Sequence, residues 1–105
     1  MTKTPTLQRK AVNANDMKQI HLFIETASGA SGRMPTAAET YETLRKEAPN
    51  LYKLVEDGTI VLHPARTRND IWAYERKAYD SSGWVASSAG VEQMDSQTLR
   101  QRLGQ

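Results

Sequence analysis

The fold is decided by two segments, Thr59-Ile-Val-Leu-His63 and Asp70-Ile-Trp-Ala-Tyr-Glu75, in which the apolar spacing changes from a helical period to a period of two. Side chains of a β-strand point alternately to its two faces, so a period of two is typical of strands. In the first segment this period places Ile60 and Leu62 on one face. The short loop between the two segments favours an antiparallel pair.

Two further strands are predicted downstream of this pair. The side chains of the second segment are expected to alternate strictly between the two faces of the sheet. Ile71 and Ala73 then lie on one face, and Trp72 and Tyr74 lie on the other. Gly83 to Ser87 forms a third short strand, and Val91 to Met94 a fourth, with a turn signal at Ala89-Gly90 between them. Loops of this length favour an antiparallel meander.

Upstream of the strands the apolar period is helical. Residues 16–27 carry an apolar face made by Met17, Ile20, Ile24 and Ala27. Asn15 is the predicted N-cap of this helix, since a short polar side chain can accept from the first free amides. The stretch Ser28 to Gly32 is predicted to stop it, because glycine adopts positive φ at little cost.

A second helix is predicted to open at Pro35-Thr36. Thr36 and Glu39 have the spacing of a capping box. Pro49 ends this helix, and Leu51 to Val55 adds one or two helical turns that Asp57-Gly58 closes.

The last helix is predicted to follow the fourth strand. Asp95 is its N-cap, and Met94 before the cap can pack on Leu99 as a hydrophobic staple. Leu99 and Leu103 face inward, and Gly104 follows as a stop signal.

These elements predict an α+β fold, with N-terminal helices packed on a small three- to four-stranded antiparallel sheet and a short C-terminal helix. Residues 1–15 are expected to form a flexible tail and residues 16–105 a single domain. The expected core is Ile20, Ile24, Tyr41, Leu44, Leu54, Ile60, Leu62, Ile71, Ala73 and Leu99.

Composition excludes several classes of function. Among 105 residues there are 14 Lys and Arg against 12 Asp and Glu, and this net charge of +2 is far below that of a dedicated nucleic-acid binder. The chain has no cysteine, which excludes disulfides and thiolate chemistry. No apolar run is long enough to predict a membrane span.

The sequence contains no convincing catalytic or metal motif. His21 and Glu25 are four residues apart on a helix and could share a metal with His63, but a helix-surface pair beside the core is the preferred interpretation. No serine lies in a nucleophile elbow, and no G-K-[ST] follows Gly29 to Gly32. We therefore predict a protein that is not an enzyme and holds no cofactor or metal.

The aromatic residues of the sheet have two interpretations. Trp72, Tyr74 and Trp84 could stack nucleic-acid bases or anchor a protein partner. The commoner explanation is that such residues fill the core between sheet and helices or cover its edge.

A basic loop supports a second class of function. Arg66 and Arg68 lie between two predicted strands, where the wing of a winged-helix protein would contact phosphates. In that arrangement Lys53 would approach the major groove, although Glu56 and Asp57 beside it oppose binding to a polyanion.

Two stretches resemble a known family. Asp16-Met-Lys-Gln-Ile20 followed by Gly32-Arg-Met-Pro-Thr36 resembles the stem-end pattern of bacterial type II secretion pseudopilins, in which "D-L-x-x-I" leads into "G-x-x-P-T". The later segments resemble the C-terminal sheet of pilin-like bacterial proteins of unknown function. These segments are Ile71-Trp-Ala-Tyr-Glu75, Gly83-Trp-Val85 and Val91-Glu-Gln-Met94.

The resemblance covers residues 15 to 103 and implies a long helix packed on a small antiparallel sheet. Pseudopilins polymerise through an apolar helix preceded by a cleavage site, and neither occurs here. The resemblance therefore implies an ectodomain of a longer protein or a soluble relative.

The function expected from the resemblance is a non-enzymatic pilin-like assembly or protein-interaction domain. Its partner would be a protein or a second copy, with nucleic acid as the alternative. A pilin-like role implies a periplasmic or envelope-facing location, and the alternative a cytoplasmic one.

Overall fold

The computed structural model describes residues 12–63 and 70–104. It confirms the α+β class, with helices before the sheet and a short helix after it. The elements are α1 (Ala14–Ser31), α2 (Ala37–Glu47), α3 (Pro49–Glu56), β1 (Ile60–Leu62), β2 (Ile71–Glu75), α4 (Arg76–Asp80), β3 (Ser82–Ser87), β4 (Gly90–Asp95) and α5 (Ser96–Arg102).

The four strands form one antiparallel meander in the order β1-β2-β3-β4. The helix α1 packs across β2, β3 and β4 on one face, with α2 and α3 beside it. The short helices α4 and α5 pack together against the other face. Strands β1 and β4 are consequently the two edges of the sheet.

The first helix begins two residues before the predicted start and ends four after the predicted end. Asn13, and not Asn15, is the N-cap, because its side chain accepts from the amide of Asp16 while the Asp16 carboxylate accepts from the amide of Asn13. Of the two predicted stop glycines, only Gly32 adopts positive φ, at 78°. Val12 before the cap is buried, so residues 12–15 of the predicted tail belong to the folded chain, and residues 1–11 lie outside the described residues.

The predicted capping box of the second helix is confirmed. The Thr36 hydroxyl accepts from the amide of Glu39 at 3.0 Å, and the Glu39 carboxylate accepts from the amide of Thr36 at 2.8 Å. Pro49 occupies the first turn of α3, where its missing N–H costs nothing. The predicted extra turns therefore form a helix of their own.

The predicted strict alternation in β2 is wrong. Ile71 pairs with Ser87, but Ala73 pairs with Ala86, so β2 has one residue more than β3 in this interval. Such a β-bulge reverses the side-chain alternation on one side of it. As a result Trp72 and Ala73 pack in the cluster under α1, whereas Ile71 packs in the cluster on the opposite face.

The core consists of one cluster on each face of the sheet. Eight of the ten expected core residues are buried, and Tyr41 and Leu62 are half-buried at the margin. The expected core omitted eight apolar residues that are buried: Val12, Met17, Leu51, Trp72, Ala78, Val85, Ala86 and Met94.

The helix α4 between β2 and β3 was not predicted. Where this helix meets β2 and β3 the packing is tight. Glu75 is 5% exposed there, and its carboxylate accepts a hydrogen bond from the amide of Trp84 at 3.0 Å. A Cβ at Gly83 would lie 2.7 Å from Glu75 Oε1 and 3.2 Å from the Cβ of Ala78, so a larger residue would have to displace the Glu75 carboxylate. The predicted Asp95 cap of α5 is confirmed, since its carboxylate accepts from the amide of Thr98 at 2.8 Å.

Candidate interaction surface

Trp72 belongs to the core. It is 1% exposed, and the ring of His21 stacks on it with centroids 4.8 Å apart and planes 17° apart. The ring is therefore closed to a base or a protein partner. Of the two interpretations of the sheet aromatics, the core interpretation applies to Trp72.

Tyr74 and Trp84 lie on opposite faces of the sheet and do not form one platform. Trp84 is half-buried against the cluster under α1. Tyr74 is half-buried on the other face, with its ring 6.4 Å from that of Tyr79. Burial raises the pKa of Tyr74 above its usual range. Separated by the sheet, the two rings cannot stack successive bases.

The basic residues singled out in the sequence give little support to a nucleic-acid interface. Lys53 is exposed on α3, with the exposed acids Glu56 and Asp57 a turn away. Acids at this distance weaken contact with phosphates. Arg66 and Arg68 lie outside the described residues.

The described residues do not bring His21, Glu25 and His63 together as metal ligands. Within residues 12–63 and 70–104, no three His, Asp or Glu side chains are close enough to hold one ion. His63 Nδ1 lies 3.0 Å from the carbonyl oxygen of Ile71, which fixes its ring to β2. The buried Nε2 of His21 has no hydrogen-bond partner in the described part of the chain.

The outer face of α1 carries an apolar residue that the sequence prediction did not single out. Leu22 is 63% exposed, and Phe23 beside it is only half-buried. Phe23 and Ala27 line a groove of about 200 Å³ between α1 and α2. The only signal in the sequence was an apolar side chain away from the buried stripe.

A salt bridge closes one end of this groove. The Arg33 guanidinium donates two hydrogen bonds to the Glu39 carboxylate, at 2.9 and 3.1 Å. This pairing, with the amide of Thr36, lowers the pKa of Glu39 to about 2. The groove therefore has an apolar floor and a polar end at neutral pH.

A second groove runs along the edge strand β1. It has a volume of about 350 Å³ and is mostly apolar, and the helices α2 and α3 overhang the strand there. Its lining residues are Ala37, Ala38, Tyr41, Val55, Gly58, Ile60, Val61 and Leu62.

A tyrosine pair holds the wall of this second groove. The Tyr41 hydroxyl donates to the Tyr52 hydroxyl at 3.2 Å, and the rings lie 4.8 Å apart. The Tyr52 hydroxyl donates to the Glu56 carboxylate at 3.4 Å. The hydrogen bond with Tyr41, together with burial and the charge of Glu56, raises the pKa of Tyr52 to about 12. The Tyr52 hydroxyl therefore stays protonated at physiological pH.

None of the helices in the described part of the chain is both long enough and apolar enough to cross a membrane. Comparison with known proteins finds no matching protein family, no matching curated protein and no matching solved structure.

Proposed function

We propose that this chain is a non-enzymatic, pilin-like domain that assembles with, or binds, another protein through the outer face of α1. The observation that carries the proposal is the exposed Leu22, which precedes the groove-lining Phe23 in the sequence of α1. Apolar surface that is larger than a single side chain marks a candidate protein interface.

The architecture supports the pilin-like part of the proposal. An 18-residue helix lies across three strands of a four-stranded antiparallel meander. Its buried stripe, formed by Met17, Ile20, Ile24 and Ser28, faces the sheet, and Leu22 lies off this stripe. The helix thus contributes one face to the core and leaves the other for a partner.

The proposal is tested by placing a photoreactive amino acid at position 22 and crosslinking in cells of the source organism. Proteins captured at position 22, and not at the exposed Gln97 of α5, are identified by mass spectrometry and purified. Leu22→Glu should weaken binding of such a protein at least about tenfold, since a charge would enter an apolar contact. Gln97→Glu, the matched control, should leave binding unchanged. Equal binding by the Leu22→Glu variant would refute the proposal.

A further inference from the structure

The outer edge of β1 carries backbone groups that β2 does not use. The His63 amide donates to Trp72 at 2.9 Å, and the Arg76 amide donates to Thr59 at 2.8 Å. Hydrogen-bonded pairs alternate along an antiparallel ladder. Thr59, Val61 and His63 are therefore bonded to β2, and the N–H and C=O groups of the two residues between them point outward.

These outward groups belong to Ile60 and Leu62. No other described residue is hydrogen-bonded to them. An unpaired edge of this kind is a template for another strand, and proteins usually protect it by keeping it short, with charges, prolines or bulges, or with a covering helix or loop. The three residues of β1, Ile60-Val-Leu62, form a short edge and include no charge, proline or bulge.

The groove beside the edge has room for the side chains of an added strand. Residues paired with Ile60 and Leu62 would point to the same side as those two residues, towards the helices. Ala37 and Ala38 leave space near Leu62, and Tyr41 and Val55 provide an apolar wall near Ile60.

The two ends of the groove differ in charge. At the Leu62 end lie Ala37, the first residue of α2, and His63, which line one small cavity with Leu62. A helix N-terminus carries a positive partial charge, and the Glu39 carboxylate that caps this one is paired with the Arg33 guanidinium. At the Ile60 end, Glu56 and Asp57 are exposed next to Gly58. An occupant with an acid at one end and a base at the other complements this arrangement.

We propose that the β1 edge is a docking site for an extended segment of a protein partner, which adds to the sheet as a fifth strand. The segment runs antiparallel to β1, starts with an acidic residue near α2 and ends with a basic residue near Glu56. Between them, apolar side chains alternate with polar ones and enter the groove. Main-chain hydrogen bonds then supply affinity, and the groove with its charged ends supplies direction.

This inference does not depend on the proposed role of α1. The groove at Phe23 and the groove at β1 share no lining residue. Failure of the Leu22 experiment would leave the β1 site untouched, and the reverse also holds.

The test uses two peptides of identical composition, acetylated and amidated at their ends: Asp-Val-Thr-Val-Thr-Lys and its charge-exchanged form Lys-Val-Thr-Val-Thr-Asp. Dissociation constants are measured by titration calorimetry or NMR against the full chain. Short strands bind weakly, so we expect values of ~0.1–1 mM for the first peptide. The second peptide should bind about threefold to tenfold more weakly, because both of its ends meet like charge.

The variant Glu56→Lys provides the matched control within the chain. Glu56 is exposed and its one described hydrogen bond, from Tyr52, is long at 3.4 Å, so the fold should persist. The preference for the first peptide should shrink or reverse in this variant. The proposal is overturned if neither peptide binds, or if Glu56→Lys leaves the ratio unchanged. It is also overturned if the chain self-associates through β1 and the peptides do not compete.

Discussion

The two edges of the sheet differ in length, in their side chains and in what lies beside them. Strand β1 has three residues, all apolar, and a groove runs along it. Strand β4 has six residues, with Glu92, Gln93 and Asp95 exposed, and Asp95 leads directly into α5. Charged and polar side chains on an edge strand discourage further pairing. Strand β4 is therefore protected by its side chains, whereas β1 is protected only by its shortness and lies beside a groove that can receive a strand.

The largest expected change in stability comes from shortening a core-facing side chain in each edge strand. Ile60 is 1% exposed, whereas Val91 of β4 is half-buried. Ile60→Ala should lower the free energy of unfolding by about 2–5 kcal/mol, since it leaves a cavity under α2 and α3. Val91→Ala should cost about 1 kcal/mol. Denaturant unfolding measures both values, and equal losses would show that β1 is not anchored by its core-facing side chain.

A smaller loss of stability is expected when the N-caps of the helices beside the two edge strands are removed. Thr36 caps α2 beside β1, and Asp95 caps α5 at the end of β4. Replacing either by alanine should cost about 1 kcal/mol of stability. Only Thr36→Ala should also weaken binding of the Asp-Val-Thr-Val-Thr-Lys peptide, because it destabilises the first turn of α2 beside the groove. An equal effect of Asp95→Ala on peptide binding would contradict the assignment of the site to β1.

Acid titration should distinguish the carboxyl group of Glu39 in α2, beside β1, from that of Asp95 at the end of β4. The pKa of Glu39 is lowered from 4.5 to about 2, first by the Arg33 guanidinium and then by the Thr36 amide. The stabilisation from this lowered pKa is therefore present above about pH 4.5 and is lost as the pH falls towards about 2. Arg33→Gln should raise the pKa of Glu39 but not that of Asp95, whose pKa is lowered by Thr98. NMR titration of the carboxyl groups checks this, and an unchanged Glu39 midpoint would contradict it.

The smallest effect on stability should accompany a change that makes β4 resemble β1. The double variant Glu92→Val and Gln93→Val alters two exposed side chains, so stability should change by less than about 0.5 kcal/mol. The exposed apolar strand should nevertheless promote concentration-dependent association, which sedimentation velocity detects. A variant that stays monomeric at high concentration would show that these side chains do not protect the edge.

Much of the fold could be predicted because its signals are local. The capping box at Thr36 and the cap at Asp95 each depend on hydrogen bonds between a side chain and a backbone amide three residues away. The helix α3 follows from Pro49 and from the apolar spacing after it. Local chemistry of this kind is visible in a single sequence.

Other features could not be predicted because they depend on contacts between distant segments. The bulge at Trp72 exists only relative to β3, and it moved Ile71 and Ala73 to opposite faces. A five-residue helix such as α4 is too short to display a helical period.

The candidate sites were even less accessible to sequence reasoning. Whether β1 is an edge depends on the order of strands, and Leu22 is notable only because no other part of the described chain covers it. Trp72 was predicted as a possible contact residue, but its side chain is buried in the core.

Amide hydrogen exchange at single residues tests the central comparison most directly. We compare Ile60 and Leu62 of β1, Val91 and Gln93 of β4, and Val61, which is bonded to β2. In the chain alone, the amide of Val61 should be protected, and those of Ile60 and Leu62 should exchange rapidly. Adding the Asp-Val-Thr-Val-Thr-Lys peptide should protect Ile60 and Leu62 and leave Val91 and Gln93 unchanged. The account is contradicted if Ile60 and Leu62 are already as protected as Val61 without peptide, or if the peptide protects β4 instead.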